Sequence, residues 1–213
     1  GTFFINLAFA LLGHVRGGPA KVAIFSSGLM GSMSGSVVSN VITTGVLTIP
    51  AMRKTGFRRS YAAGVEACAS TGGVLMPPIM GSTAFIMAVF LDVPYITIAV
   101  AAIIPSVLYY LALFIQIDAF AARNEMPGIE RDKLPGLKET LLQGWHFIAV
   151  FVLLIVMLIY LKQEVLAPFY ATVLLLIINQ LFPHSRWKGS DFVGFIIATG
   201  KLLAEIAAIL VGV

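Results

Sequence analysis

Long apolar runs separated by short polar gaps organise this chain. The runs cover residues 2–12, 22–30, 37–49, 61–91, 95–120, 145–161 and 167–182, and a last one begins at Phe192. They are continuous rather than alternating, so they predict helices and not the strands of a barrel. The most informative gap is Gly31-Ser32-Met33-Ser34-Gly35-Ser36. It is small and polar, and each apolar flank is shorter than the span of about 20 residues that crosses a bilayer. Irregular backbone survives at membrane depth only where protein buries it or where it lines a wet cavity. Two half-length helices meeting at this Gly/Ser tip would make a re-entrant hairpin over about residues 19–52. Basic residues flank it on both sides: His14, Arg16 and Lys21 before, Arg53, Lys54, Arg58 and Arg59 after. Lys and Arg collect on the cytoplasmic side, so both ends read as cytoplasmic. An ordinary kinked span over residues 22–42 is the competing expectation.

The run 61–91 is interrupted by Thr71-Gly72-Gly73 and by Met76-Pro77-Pro78. The prolines lack amide hydrogens, and Met76 is pushed out of the helical region by the proline after it. The pattern predicts a broken membrane helix over about residues 59–91, with half-helices at 61–71 and 78–90. Pro105 predicts a kink, Lys162-Gln163-Glu164 a turn, and Pro183 to Lys188 a loop. Three regions result: 1–122 with the hairpin and the broken helix, 123–143 as a cytoplasmic amphipathic connector, and 144–213 with further transmembrane helices. Both ends of the chain fall inside apolar runs, which predicts a piece of a longer polypeptide.

Composition agrees with a membrane setting. Of 213 residues, 59% are hydrophobic and 11% charged, against about 25% charged in soluble domains. The fold class expected is an all-α integral membrane protein, a polytopic helical bundle. The net charge of +4 sits in short loops, where topology explains it, and does not suggest nucleic acid. Cys68 is the single cysteine, so no internal disulfide forms, and no Cys/His set has metal-ligand spacing. His14, His146 and His184 have no triad context, and no enzyme is expected.

Each break leaves helix-end carbonyls and amides without helical partners. Carbonyl ends suit a cation and amide ends an anion. Oxygens of Ser32, Ser70, Thr71, Gly72 and Gly73 are therefore the candidate ligands of a hard cation such as Na⁺. Ser34, Gly35, Ser36, Asn40 and Pro78 are the candidate contacts of a carboxylate substrate. Asn40, with Thr43 and Thr44 near it, could equally be a helix-packing polar residue. Glu66 is the only carboxylate in these two elements, and its expected role is an ion pair with Arg58 or Arg59 near the interface.

The continuous run GSMSGSVVSNVITTGVLTIPAMRKTGFRRSYAAGVEACASTGGVLMPPIMGSTAFIMA, which begins at Gly31, resembles the large membrane subunit of tripartite ATP-independent periplasmic (TRAP) transporters. Its STGG-x-x-MPPIMG form, and GGPAKVA upstream, most resemble fused permeases that work with TAXI-type binding proteins. The resemblance implies an elevator-type secondary transporter of two inverted repeats, of which one is present, in a bacterial or archaeal inner membrane. It implies a periplasmic substrate-binding protein that delivers an organic acid, and a Na⁺ gradient that drives uptake, with no organic cofactor. A channel-like or structural subunit without coupled transport is the alternative.

Overall fold

A computed structural model describes residues 2–159, 166–181 and 189–212. The turns expected at 162–164 and 183–188 lie outside the described residues. Every regular element among the described residues is helical: α1 (Thr2–Leu12), α2 (Gly18–Ser34), α3 (Val37–Lys54), α4 (Arg59–Gly73), α5 (Ser82–Leu91), α6 (Tyr95–Arg123), α7 (Leu137–Ile159), α8 (Ala167–Leu181) and α9 (Gly189–Gly212). A single 3₁₀ turn, Arg131–Lys133, lies between α6 and α7. Helices α6 and α7 are long and apolar enough to cross a membrane. Contacts divide the chain into residues 1–145 and 146–213, with the border inside α7. In the second unit, α8 and α9 turn Phe169, Val173, Phe192 and Ile196 outward.

In the first unit, α2 and α3 form an antiparallel helical hairpin. Ser27 meets both Asn40 and Thr44 across it. The link is only Gly35-Ser36, not the six-residue tip expected from the sequence. Gly35 takes φ 62°, the left-handed region that favours glycine, and its N–H caps the Gly31 carbonyl at 2.9 Å. Ser36 is extended and accepts from the Ser39 N–H. Gly31, Ser32 and Ser34 stay helical, and the hydroxyl of Ser32, like that of Ser26, bonds back to its own helix. Ser26 Oγ donates to Val22 O at 2.7 Å and Ser32 Oγ to Leu29 O at 2.9 Å.

Helix α3 is inside out by the standards of a water-soluble helix. Asn40, Thr44 and Thr48 recur every fourth residue and are buried, while Val38, Ile42 and Val46 face outward. The buried stripe of α4 (Ala62, Val65, Glu66, Ala69, Ser70, Gly73) has the same helical spacing. Helices α2 and α4 cross on glycines. A Cβ on Gly31 would stand 2.5 Å from Gly73 Cα, and one on Gly73 2.6 Å from Ser27 O. Such close approach is what small residues permit in membrane helix pairs.

After α4 the chain loops through residues 74–81. Leu75 and Met76 donate to Gly72 O and Gly73 O at 3.0 and 3.2 Å, and Gly81 N–H closes the loop on Val74 O at 2.9 Å. The second half-helix therefore starts at Ser82, not at Pro78. With no amide hydrogen on either proline and Met80 at φ 61°, helical bonding cannot begin earlier. Two contacts fix this loop. Gly35 abuts Met80 and Gly81, where a Cβ would lie 2.8 Å from Met80 O. The Tyr95 hydroxyl donates to Pro78 O at 2.9 Å and also to Ile79 O.

The opposite end is knit by a cluster of Ala20, Ile24, Met52, Phe57, Val65 and Ile117. Tyr61 stacks on Phe120 at 3.8 Å between centroids. Asp118 accepts from Arg16 and from buried Lys21, both at 2.5 Å. The connector differs from expectation, since α7 already begins at Leu137. What precedes it is largely non-helical chain pinned to the α1–α2 loop, with Ile129 N–H donating to Gly13 O at 2.8 Å.

Gly31→Ala or Gly73→Ala in the full-length permease should lower the thermal unfolding midpoint. Overpacking of this kind costs about 1–3 kcal/mol. Gly64→Ala, where nothing lies within 4 Å of the added Cβ, should leave the midpoint unchanged or raise it slightly.

Candidate functional site

The tip of the α2–α3 hairpin, the α4 terminus and the loop after it meet, and most of the candidate residues lie there. Asn40 is 1% exposed. Its Nδ2 donates to Ser27 O at 2.9 Å, a carbonyl that can only accept, which leaves Oδ1 pointing the other way. Gly31 and Gly73 make room for this amide: a Cβ on either would come within 2.8 or 3.1 Å of Nδ2. Oδ1 of Asn40 and Oγ of Ser34 are buried and have no hydrogen-bond partner. Buried polar groups are nearly always satisfied, so two orphaned oxygens flanking one tip single this region out.

The other predicted residues divide. Gly35 touches the loop, and Ser36 caps α3. Gly72 and Gly73 are buried; Gly72 O accepts from the N–H groups of both Val74 and Leu75, whereas Gly73 O accepts from Met76 N–H, which leaves a second lone pair on Gly73 O. Ser32 spends its hydroxyl on Leu29 O. Pro78 O is taken by Tyr95. Ser70 and Thr71 point apart. Ser70 is buried with its hydroxyl 3.5 Å from Glu66 Oε1, whereas Thr71 is exposed and donates to Ala67 O at 2.8 Å.

Glu66 corrects the expectation most sharply. It makes no ion pair with Arg58 or Arg59, both of which are exposed. It is 0% exposed and buried among hydroxyls. Ser27 Oγ donates to Oε1 at 3.2 Å, Thr44 donates to Oε1 and Thr48 to Oε2. The seam thus joins α2, α3 and α4. Sequence reasoning missed Ser27 and Thr48, although Asn40, Thr44 and Thr48 at four-residue spacing were a visible polar stripe. It also missed Tyr109 and Tyr110 on α6, whose hydroxyls donate to Cys68 O and Ala69 O at 2.8 and 2.9 Å. Among the described residues, no group of three or more His, Cys, Asp or Glu could hold a metal. At the hairpin tip, among the described residues, the groups on offer are neutral oxygens and helix ends.

Residues 1–213 match the family described as "Tripartite ATP-independent periplasmic transporter, DctM component". The C4-dicarboxylate TRAP transporter large permease protein DctM of Pseudomonas aeruginosa is 31% identical over 130 residues, 61% of this chain and 30% of its own length. The sialic acid TRAP transporter permease protein SiaT of Haemophilus influenzae is 34% identical over 122 residues, 57% of this chain and 20% of its own. The ectoine/5-hydroxyectoine large permease protein UehC of Ruegeria pomeroyi is 29% identical over 123 residues, covering 58% and 28%. The chain therefore spans under a third of the length of these relatives. The family match runs along the whole chain, and the described residues form only helices: this chain belongs to the DctM component family of TRAP transporters, the large permease subunit.

Proposed function

We propose that this chain carries one half of the substrate and ion site of a Na⁺-driven permease in a bacterial inner membrane. The permease takes up an organic acid delivered by a periplasmic substrate-binding protein. The observation that carries the reading is Asn40 Oδ1, a buried oxygen with no donor, set between the hairpin and α4. Together with Ser34 Oγ and the spare lone pair of Gly73 O, it offers neutral oxygens of the kind that suits a hard monovalent cation. Around the tip, Ser36 to Val38 are partly or fully exposed and are the residues offered to the substrate carboxylate. Names of relatives support the substrate class: C4-dicarboxylate and sialic acid are organic acids. The STGG-x-x-MPPIMG run supports a TAXI-type delivery protein.

Re-entry of the hairpin is supported by length. Helix α2 has 17 residues and α6 has 29, which at 1.5 Å per residue gives about 25 Å against about 43 Å. A hydrocarbon core of about 30 Å is crossed by the second but not by the first. The basic flanks also converge, since the start of α2, the end of α3, the start of α4 and the end of α6 share one apolar cluster.

Two outcomes are expected. Asn40→Ala in the complete transporter, reconstituted with its binding protein, should raise the Na⁺ concentration for half-maximal uptake. Loss of one ligand at about 1–3 kcal/mol corresponds to roughly tenfold; an unchanged Na⁺ dependence removes the ion assignment. Single cysteines at His14 and Lys54 should both be labelled from the cytoplasmic face only. Labelling from opposite faces would replace the hairpin by a full crossing.

A further inference from the structure

Helix pairs built on glycine have a weakness: smooth faces slide. Around the site, α2, α3 and α4 touch through Gly31, Gly45 and Gly73, and the polar stripe of α3 repeats every turn. A one-turn slip of α3 along α4 would bring equivalent atoms back into similar contact. Any such slip would move Asn40 by about 5.4 Å and dissolve the oxygen set described above.

Glu66 prevents this. Its carboxyl is gripped at both oxygens by hydroxyls one turn apart on the same helix, Thr44 at Oε1 and Thr48 at Oε2. Slippage in one direction would bring Met52, the next residue of that stripe, to one carboxyl oxygen. In the other direction the Asn40 amide would be drawn onto Glu66 and would give up its bond to Ser27 O. Only the observed register gives each oxygen a hydroxyl. Ser27 adds a donor from α2, which extends the pin to the third helix. Gly45 makes the grip possible, since a Cβ there would sit 3.2 Å from Glu66 Cγ. The same helix carries the effect onward: Asn40 lies one turn before Thr44 on α3, and its side chain holds Ser27 O. Cations of the packed helices are engaged or exposed elsewhere, Lys21 on Asp118 and Arg53, Lys54, Arg59 and Arg123 outward.

We propose that Glu66 is a positioning residue, a two-pronged register pin that sets α3 against α4 and thereby fixes Asn40 in the ion site. The proposal rests on the Na⁺ reading for its consequence, but not for the register itself.

The test uses the full-length permease in proteoliposomes with its binding protein, free of other cysteines. Three changes are compared: Glu66→Leu, which removes both prongs; Glu66→Gln, which keeps a two-pronged polar group; and the double change Thr44→Val with Thr48→Val, which removes the hydroxyls at constant shape. A spin-label pair on the outward positions Ile42→Cys and Ala63→Cys reads the register without reference to any ion. Glu66→Leu and the double valine change should shift or broaden that distance, and Glu66→Gln should restore it. The same two should raise half-saturating Na⁺ several-fold with little change in maximal rate, and should move the Na⁺ protection of a thiol at Val38→Cys to higher concentration. An unaltered spin-label distance in Glu66→Leu and in the double valine change overturns the pin. Equal damage from leucine and glutamine also overturns it, because charge and not hydrogen-bond geometry would then be at work. A shifted distance with unchanged Na⁺ dependence keeps the pin and removes the ion reading of Asn40.

Discussion

A carboxyl group that is fully buried must find its hydrogen-bond donors inside the protein, and that requirement at Glu66 dictates much of what surrounds it. A buried polar atom left unpaired costs about 1–3 kcal/mol. The donors come from short side chains, Ser27, Thr44, Thr48 and Ser70, on three helices. Short side chains reach only if the backbones come close. Close backbones in turn leave no room for Cβ atoms at the crossing, which is why Gly31, Gly45 and Gly73 stand where they do. One polar group thus accounts for the hydroxyls of Ser27, Thr44, Thr48 and Ser70 and for Gly45 beside them.

The same constraint turns α3 inside out. Its amide and hydroxyls face the seam, while Val38 and Val46 are 69% and 68% exposed. A helix at a water surface has the reverse pattern. Outward aliphatic side chains are stable against lipid or against further apolar helices, and inward polar ones are stable because each finds a partner that lipid could not supply. The polar seam and the apolar exterior are one arrangement seen from its two sides.

How much was legible in the sequence follows from the range of the interactions involved. Helix existence is local, and the apolar runs gave it: α1 occupies residues 2–12 as read, and both interruptions fall at Gly35-Ser36 and near Pro77-Pro78. The extent of each break was misjudged. Gly and Ser weaken isolated helices, but in a tight crossing they are the residues that fit, so α2 runs on to Ser34. Ser70 and Thr71 looked equivalent as neighbours, yet about 100° of helical rotation puts one in the seam and the other outside. Glu66 was assigned to Arg58 and Arg59 because they are close in sequence. Its partners Ser27, Thr44 and Thr48 are 39, 22 and 18 residues away, and no local pattern announces which faces will meet. Asp118 likewise takes its partners 102 and 97 residues back.

Polar groups are treated differently at the two ends of the hairpin. At the base, Asp118 holds two cations and aromatic rings stack across three segments. Toward the middle, every oxygen of Glu66 is used. Near the tip, Ser34 Oγ and Asn40 Oδ1 are the buried side-chain atoms that stay without a partner among the described residues. If packing alone governed these positions, an alanine at Ser34 would fold more favourably, because no hydrogen bond would be lost and an unpaired oxygen would be gone, and Asn40 would need only its Nδ2 donation to Ser27 O and not its unpaired Oδ1. Their place beside a two-residue tip that touches the loop of a broken helix makes them the part of the structure that stability does not explain. A rigid, saturated seam one turn below is what lets two unsatisfied oxygens be held at a fixed position without collapse of the helices around them.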